Sequence, residues 1–594
     1  MYKSRLIHLL LVTLSLFVVS CNKDGEILSE SLPPVIELDS EDGYYLVKIG
    51  KEFSISPVYR NVDNTTEYLW TCDGALISDK PALSYTFNEP GTYYITISVI
   101  SSGGKASEEI RIDADELAPP VISIAVPEGG LKVLAGHEYE ITPDVINADG
   151  ATYSWTLDGK PVGDDLSYRF LSSTPGRYSL SFTATNADGS TEKSFDVEVV
   201  DRMPVSIVIP TPMYFTTSAD VPRYVAEGGT IYLRPYLSVT DGVTCSWSID
   251  GEAVAGADDL LFAFTPAGIG EYKVTFTAGY SDPSARERYS RNISSTGVAE
   301  ASVDIVVKCC KPAGVRPYVA GNSLTATKVY EYIPAPGQFI NEKAVSDFNG
   351  ESTHEAACGY AKDRLDRELS VSLGAWGGFI TVGFDHSIPN RGGYDFSIKG
   401  NPIDTSSEPG IVWVMQDVNG NGIPDDEWYQ LKGSEYGKPE TIEYYSLTYF
   451  RPGPEMNTRW IDSEGATGVV RRIPSQHPQP YYYPLWIKED SYTLYGVRLA
   501  ARTVQSSVTG MWSNEPFPWG YADNFGDDLK VKDNPEAGAL ANYFRISDAV
   551  NPDGSPAALT HIDFIKVQTG VNADAGQLGE NSTEVFGFKD ETSY

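Results

Sequence analysis

A tryptophan recurs three times in the first half of the chain in one and the same local setting, and this recurrence limits the fold more than any other feature. The segments read YLWTCDG around Trp70, YSWTLDG around Trp155 and CSWSIDG around Trp247. An Asp-Gly pair follows each at the same offset: Asp73-Gly74, Asp158-Gly159 and Asp250-Gly251. A Gly-x-Tyr then opens a further segment, with its tyrosine at Tyr93, Tyr178 and Tyr272, which lie 23, 23 and 25 residues after the tryptophans. Such regularity means one supersecondary unit built three times. The runs YYITISV (93–99), YSLSFTAT (178–185) and YKVTFTA (272–278) alternate apolar and polar residues, as strands with one buried face must. Asp-Gly directly after the tryptophan strand supplies the positive-φ turn of a hairpin. Short strands separated by regular turn signals predict a two-sheet sandwich for each copy. The expected modules cover residues 34–113, 119–201 and 205–308.

Through the W-x-x-D-G and G-x-Y elements these copies resemble PKD-type immunoglobulin-like domains. The resemblance implies spacers that hold a functional domain away from a membrane. Cys72 and Cys245 lie two residues from their tryptophans, so period two places them on the same buried face, as inert core residues. After the third copy, Cys309-Cys310 and then Pro312, Gly314 and Pro317 read as a linker over 309–317 carrying two thiols. The cysteines other than Cys21 are odd in number and irregular in spacing, which is neither a disulfide framework nor a zinc pattern.

The N-terminus sets the expected compartment. Lys3 and Arg5 precede an apolar run from Leu9 to Val19, too short to span a bilayer, which needs about 20 residues. This reads as a secretory signal over residues 1–20. Val18-Val19-Ser20-Cys21 resembles the lipobox of bacterial lipoproteins, which implies that Cys21 becomes the lipidated end of a tether over 21–33. Asn22-Lys23-Asp24-Gly25-Glu26 is similar, in part, to the acidic segment that sends Bacteroidetes lipoproteins to the exterior. The expected location is therefore the outer membrane, lipid-anchored and facing outward.

With 81 acidic against 45 basic side chains and a net charge of −36, the chain repels nucleic acid, and no basic stripe interrupts that charge. Residues 318–594 lack the tryptophan repeat but keep strand-like runs: LSVSLG (369–374), GFITVGF (378–384), YDFSIKG (394–400), GIVWVMQD (410–417) and HIDFIKVQTG (561–570). The reading is an all-β chain, in which three tandem PKD-like sandwiches precede one larger, jelly-roll-like β-domain.

The sharpest motif in that domain is DVNGNGIPDDEW. Asp417, Asn419 and Asn421 occupy positions 1, 3 and 5 of a calcium loop, Gly422 takes the sharp turn, and Ile423 and Asp425 follow at positions 7 and 9. Position 12, a bidentate Glu in an EF-hand, is Trp428, so Asp426 or Glu427 has to close the shell. A structural calcium is expected. Its alternative is a polar hairpin turn rich in Asn and Gly.

Catalytic constellations are not legible: there is no G-x-S-x-G, no H-E-x-x-H and no phosphate-cradling glycine loop. The chain reads as a binding protein and not an enzyme. Two proline-interrupted segments, HPQPYYYPLW and MWSNEPFPWGYADNF, cannot be central strands. As loops they predict an aromatic binding surface from Tyr481, Tyr482, Tyr483, Trp486, Trp512, Phe517, Trp519 and Tyr521, with Asn514 and Asp523 fixing orientation. The alternative is that these rings staple long loops onto the sandwich.

YIPAPGQFIN (332–341), VSLGAWGGFITVGFDHSIPN (371–390), EPGIVWVMQDVNGNGIPDDEWYQLKGSE and LGENSTEVFGF together resemble a family of Bacteroidetes surface proteins associated with corrinoid (cobalamin) uptake loci. That resemblance implies a corrinoid ligand and a TonB-dependent outer-membrane transporter as partner, but no contact residues. A glycan-binding lipoprotein and an adhesin are the competing expectations.

Overall fold

A computed structural model describes residues 32–40, 43–127, 130–216, 221–280, 300–529 and 540–592. Cys21 and the signal segment lie outside the described residues. The chain divides after Ala118 into two compact units.

The first unit is a sandwich whose larger sheet runs, edge to edge, Tyr44–Lys48, Gly104–Asp115, Gly91–Ser101, Glu67–Cys72 and Ala75–Ser78. The Tyr44–Lys48 edge pairs in parallel and the rest antiparallel. Glu52–Ile55 with Leu83–Thr86, and Val35–Glu37 with Val58–Arg60, make the facing layer. The second unit opens with two sandwiches whose five-stranded sheets have the same order, centred on Thr152–Leu157 and on Val243–Ile249. The repeated tryptophans explain why. Trp70, Trp155 and Trp247 are at most 1 % exposed, and each indole N–H reaches a backbone carbonyl on the loop beyond the hairpin. The acceptors are Lys80 (2.9 Å), Asp165 (3.0 Å) and Asp259 (2.9 Å). A large ring thus fills each core while its one polar atom is satisfied. The Asp-Gly turns have φ of 48° and 83°, 48° and 75°, and 50° and 86°, the double positive-φ signature of a type I′ hairpin. The Gly-x-Tyr tyrosines donate their hydroxyls four residues back, to Glu89, Thr174 and Gly268 carbonyls, at 2.8–2.9 Å. That bond ties the strand entry to the preceding loop, as a tyrosine corner does.

Cys72 and Cys245 are half-buried and pack against their modules' cores. Cys309 and Cys310 are free thiols that end the strand Glu300–Cys310. The linker expected over 309–317 therefore begins after them: Cys309 is paired with Gly270 in the sheet and is buried.

The terminal domain is built on a six-stranded antiparallel sheet in the order Lys328–Ile333, Phe379–Pro389, His561–Thr569, Gly410–Met415, Trp428–Leu431 and Ala549–Val550. A four-stranded sheet (Thr467–Val470, Thr458–Asp462, Ile442–Phe450, Ser491–Arg498) and a three-stranded one (Leu540–Phe544, Phe396–Gly400, Gly587–Asp590) share its core. The helix His354–Asp366, which Thr353 caps by accepting the Ala356 N–H, was not expected from the residue pattern. It buries Ala357, Cys358, Ala361 and Leu365, a helical stripe of mostly small residues that carries little hydrophobic contrast. Among the described residues no helix is long and apolar enough to cross a membrane.

Candidate functional site

The predicted aromatic surface is largely core. Tyr482, Tyr483 and Trp486 are 0 %, 1 % and 4 % exposed. Their polar atoms close internal bonds: Tyr482 to the His477 carbonyl (3.1 Å), Tyr483 to that of Glu489 (2.8 Å) and Trp486 to that of Tyr332 (3.3 Å). Phe517 and Tyr521 stack edge-on at 5.4 Å, both buried. Asn514 is buried, accepting from the Thr503 hydroxyl at 2.7 Å. Tyr481 and Trp512 are half-buried, and Trp512 lies flat over Gly576, where a Cβ would stand 2.1 Å from the indole nitrogen. Of the eight predicted rings Trp519 alone is exposed, at 39 %, lining a recess of about 260 Å³ with Tyr394, Asp528 and Arg545. This corrects the expected binding surface. Proline keeps these segments out of the central sheets, Trp512–Asn514 forming only a two-stranded pair with Thr503–Gln505, but it does not push them outward when tyrosine hydroxyls and Arg472 satisfy their carbonyls.

Asp523 belongs to a different arrangement. With Glu408 and Glu584 it forms the one place, among the described residues, where three such acidic side chains bring oxygens within 4.8 Å of one another. Asp523 accepts the Asn401 and Glu584 N–H groups, both at 2.9 Å. Burial, then the neighbouring Glu584, raises Asp523 and Glu408 well above the carboxylate range. Shared protons suffice to hold such a group together, and its oxygens are engaged by backbone and Ser582 donors.

The predicted calcium loop forms a tight turn between the strands Gly410–Met415 and Trp428–Leu431. The Asp417 carboxylate is buried and accepts the Asn421 N–H (3.1 Å) and the Gly422 N–H (2.9 Å). Gly420 and Gly422 take φ of 73° each, which an L-residue adopts only with strain. Asn419 and Asn421 turn their amides to Asp425 at 3.0 and 2.9 Å, while the Ile423 carbonyl accepts from Asp425 N–H at 2.8 Å. Asp426 is fully buried: one carboxylate oxygen accepts the Val418 N–H (3.0 Å), and the other has no partner. Burial, then Asp425 and Asp417, pushes it up to about 8. Glu427 points away from the loop toward Arg223, an ion pair at 3.3 Å without hydrogen-bond geometry. Of the two residues expected to complete the shell, Asp426 has the loop's Asp425 and Asp417 as charged neighbours, and Glu427 is turned to Arg223.

Sequence reasoning missed the seam between the third module and the terminal domain. Tyr236 of the module meets Tyr495 at 4.7 Å and Tyr444 at 6.2 Å, and the Arg234 guanidinium sits 3.4 Å over the Tyr444 ring. The Tyr214 N–H donates to the buried Glu331 carboxylate at 2.6 Å. Beside these contacts opens a cleft of about 650 Å³. Residues 208–211 and 214–216 line one side, with Pro127 of the second module and with Phe215 47 % exposed, and Thr448, Glu489, Thr493 and Tyr495 line the other. No local motif announces it, because its two sides are more than 200 residues apart.

The fold and the repeats define a protein of tandem immunoglobulin-like β-sandwich modules. Within it, residues 33–101 and 119–186 match the PKD-like domain family. The chain is 24 % identical over 427 residues to human polycystin-1, a match covering 70 % of this chain but only 9 % of that protein's length. Solved structures with some likeness include the sidekick-1 immunoglobulin domains 1–5 (14 % identity, 47 % of this chain and 58 % of that one, TM-score 0.21). Others are the three N-terminal domains of the bacteriophage RB49 Hoc protein (15 %, 47 % and 100 %, TM-score 0.21) and fibronectin(III)-like modules of Clostridium thermocellum CbhA (19 %, 28 % and 94 %, TM-score 0.19).

Proposed function

We propose that the chain is a surface lipoprotein that captures a ligand without transforming it, and that the capture site is the cleft between the third module and the terminal domain. The observation that carries this reading is the cleft itself. At about 650 Å³ it lies within the range of small-molecule sites, about 300–1,000 Å³, which favour domain interfaces and apolar walls with few polar groups. Phe215 and Tyr495 offer ring faces, and Thr448 and Thr493 offer hydroxyls beside them. A corrinoid, with a broad apolar face and an amide rim, suits such a lining. In this reading Cys21 anchors the chain to the outer membrane, the PKD-like modules carry the cleft outward, and a TonB-dependent transporter receives the cargo.

The test mixes the protein with cyanocobalamin, removes free ligand by desalting and reads the visible absorbance. Retained colour is expected, with Phe215→Ala weakening binding about tenfold, the equivalent of about 1.4 kcal/mol. A colourless protein at micromolar concentrations overturns the corrinoid. Glycan-array binding lost in Phe215→Ala would assign the same cleft to sugars, whose rings also stack on aromatic faces.

A further inference from the structure

We propose that the loop Asp417–Asp426 is a calcium site whose role is to clamp the joint between the third module and the terminal domain. The loop supplies hard oxygens and no other ligand type: the side chains of Asp417, Asn419, Asn421, Asp425 and Asp426, and the Ile423 carbonyl. Calcium takes six to eight such ligands in flexible geometry. Two turn-forming glycines and the two N–H groups held by Asp417 keep the first carboxylate turned into the loop. Each Asn side-chain oxygen accepts a backbone N–H, Asn419 from Asn421 (2.9 Å) and Asn421 from Ile423 (2.7 Å), and keeps a second lone pair for a cation.

The independent sign of a ligand is the unpartnered oxygen of Asp426. Its residue is fully buried, its other oxygen is fixed by Val418 N–H, and its charged neighbours inside the loop are Asp425 and Asp417. A buried carboxylate oxygen with no donor costs free energy that native folds rarely tolerate. A divalent cation that draws the neighbouring Asp417 and Asp425 carboxylates in toward this oxygen removes that cost. Glu427 is excluded from the shell because Arg223 holds it outside.

The position of the loop gives the cation its purpose. The Val418 carbonyl accepts the Ala313 N–H at 2.9 Å, from the segment joining the two domains. Gly420 lies against Ala313, where a Cβ would come within 3.0 Å of the alanine's. Arg223, which meets Glu427, belongs to the strand Arg223–Ala226 of the third module, and Trp428 donates its indole N–H to the Pro212 carbonyl at 3.0 Å. From the other side Tyr330 donates to the Gly422 carbonyl at 2.9 Å. Ordering this one turn therefore fixes contacts to both domains at once. The proposal does not depend on which ligand the cleft takes.

The test uses the full mature chain stripped with chelator. Terbium luminescence sensitised by the nearby Tyr224 and Tyr330, displaced by calcium, reads binding; hydrogen exchange over 309–320 and 416–428 reads the joint. Expected are a dissociation constant at or below about 1 mM and at least tenfold slower exchange at the Ala313 amide with calcium. Asp426→Asn and, separately, Asp425→Asn should weaken binding at least tenfold, whereas Glu427→Gln should leave it within about threefold. No terbium signal, or full affinity in a folded Asp426→Asn, overturns the site. Calcium binding with unchanged exchange at Ala313 overturns the clamp.

Discussion

Tyr236 and Tyr495 meet edge to face, with ring centroids 4.7 Å apart and planes at 63°, although one belongs to the third module and the other to the terminal domain. Tyr236 also lies 6.2 Å from the ring of Tyr444, itself capped by Arg234. Such pairs contribute about 0.5–1.5 kcal/mol beyond the area they bury. Tyr236→Ala is expected to destabilise the seam by about 3 kcal/mol, and calorimetry should resolve the third module and the terminal domain as separate transitions. Tyr236→Phe keeps the ring and should leave them merged. A single unchanged transition in the alanine variant would show that the seam is held elsewhere.

The repeated tryptophan makes a prediction confined to one module. In the first unit the Trp70 indole is fully buried and its N–H reaches the Lys80 carbonyl at 2.9 Å. Trp70→Phe leaves a cavity and removes that donor, a loss of about 2–4 kcal/mol. Tyr93→Phe removes only the hydroxyl bond to Glu89 and should cost about 1 kcal/mol. Because residues up to Ala118 form their own compact unit, chemical denaturation should shift one transition and leave the others in place.

The modules were legible because each local signal agrees with the sheet it builds. The Asp-Gly turns, the alternating strands and the spaced Trp and Tyr residues all point to one sandwich. The terminal domain was legible only in its strands: GFITVGF, YDFSIKG and GIVWVMQD lie where strands form. Its aromatic loops misled because proline forbids a strand without saying which way a loop faces. Whether Tyr482 is inside depends on Ile473 and His477 meeting its hydroxyl, which is tertiary information. In the same way Asp523 read as a polar orienting group and became part of a buried carboxylate cluster with Glu408 and Glu584. The cleft was invisible for a simpler reason: segments near 210 and near 493 meet only when the chain is folded.

Buried carboxylates also give the terminal domain a pH dependence. Glu580 is 6 % exposed; one oxygen accepts the Gln338 N–H at 2.7 Å and the other has no partner. Burial raises it to about 8 from an ordinary value near 4.5. The folded state therefore keeps a proton that the unfolded chain releases between those two values. Below about 4.5 both states hold it and nothing is lost. As pH rises toward 8 the unfolded state is favoured progressively, and above 8 the folded state carries the full cost of a buried charge. Asp528, raised by burial to about 6, acts in the same direction over a lower window. Thermal melting at pH 5 and pH 8 should show the terminal domain less stable at pH 8. Glu580→Gln keeps the acceptor for Gln338 and has no charge to bury, so its gain should be near zero at pH 4.5 and on the order of a few kcal/mol at pH 8. That corresponds to a rise of several degrees in Tm for a domain of this size. A gain of equal size at both pH values would mean that packing, not ionisation, sets the cost of this residue.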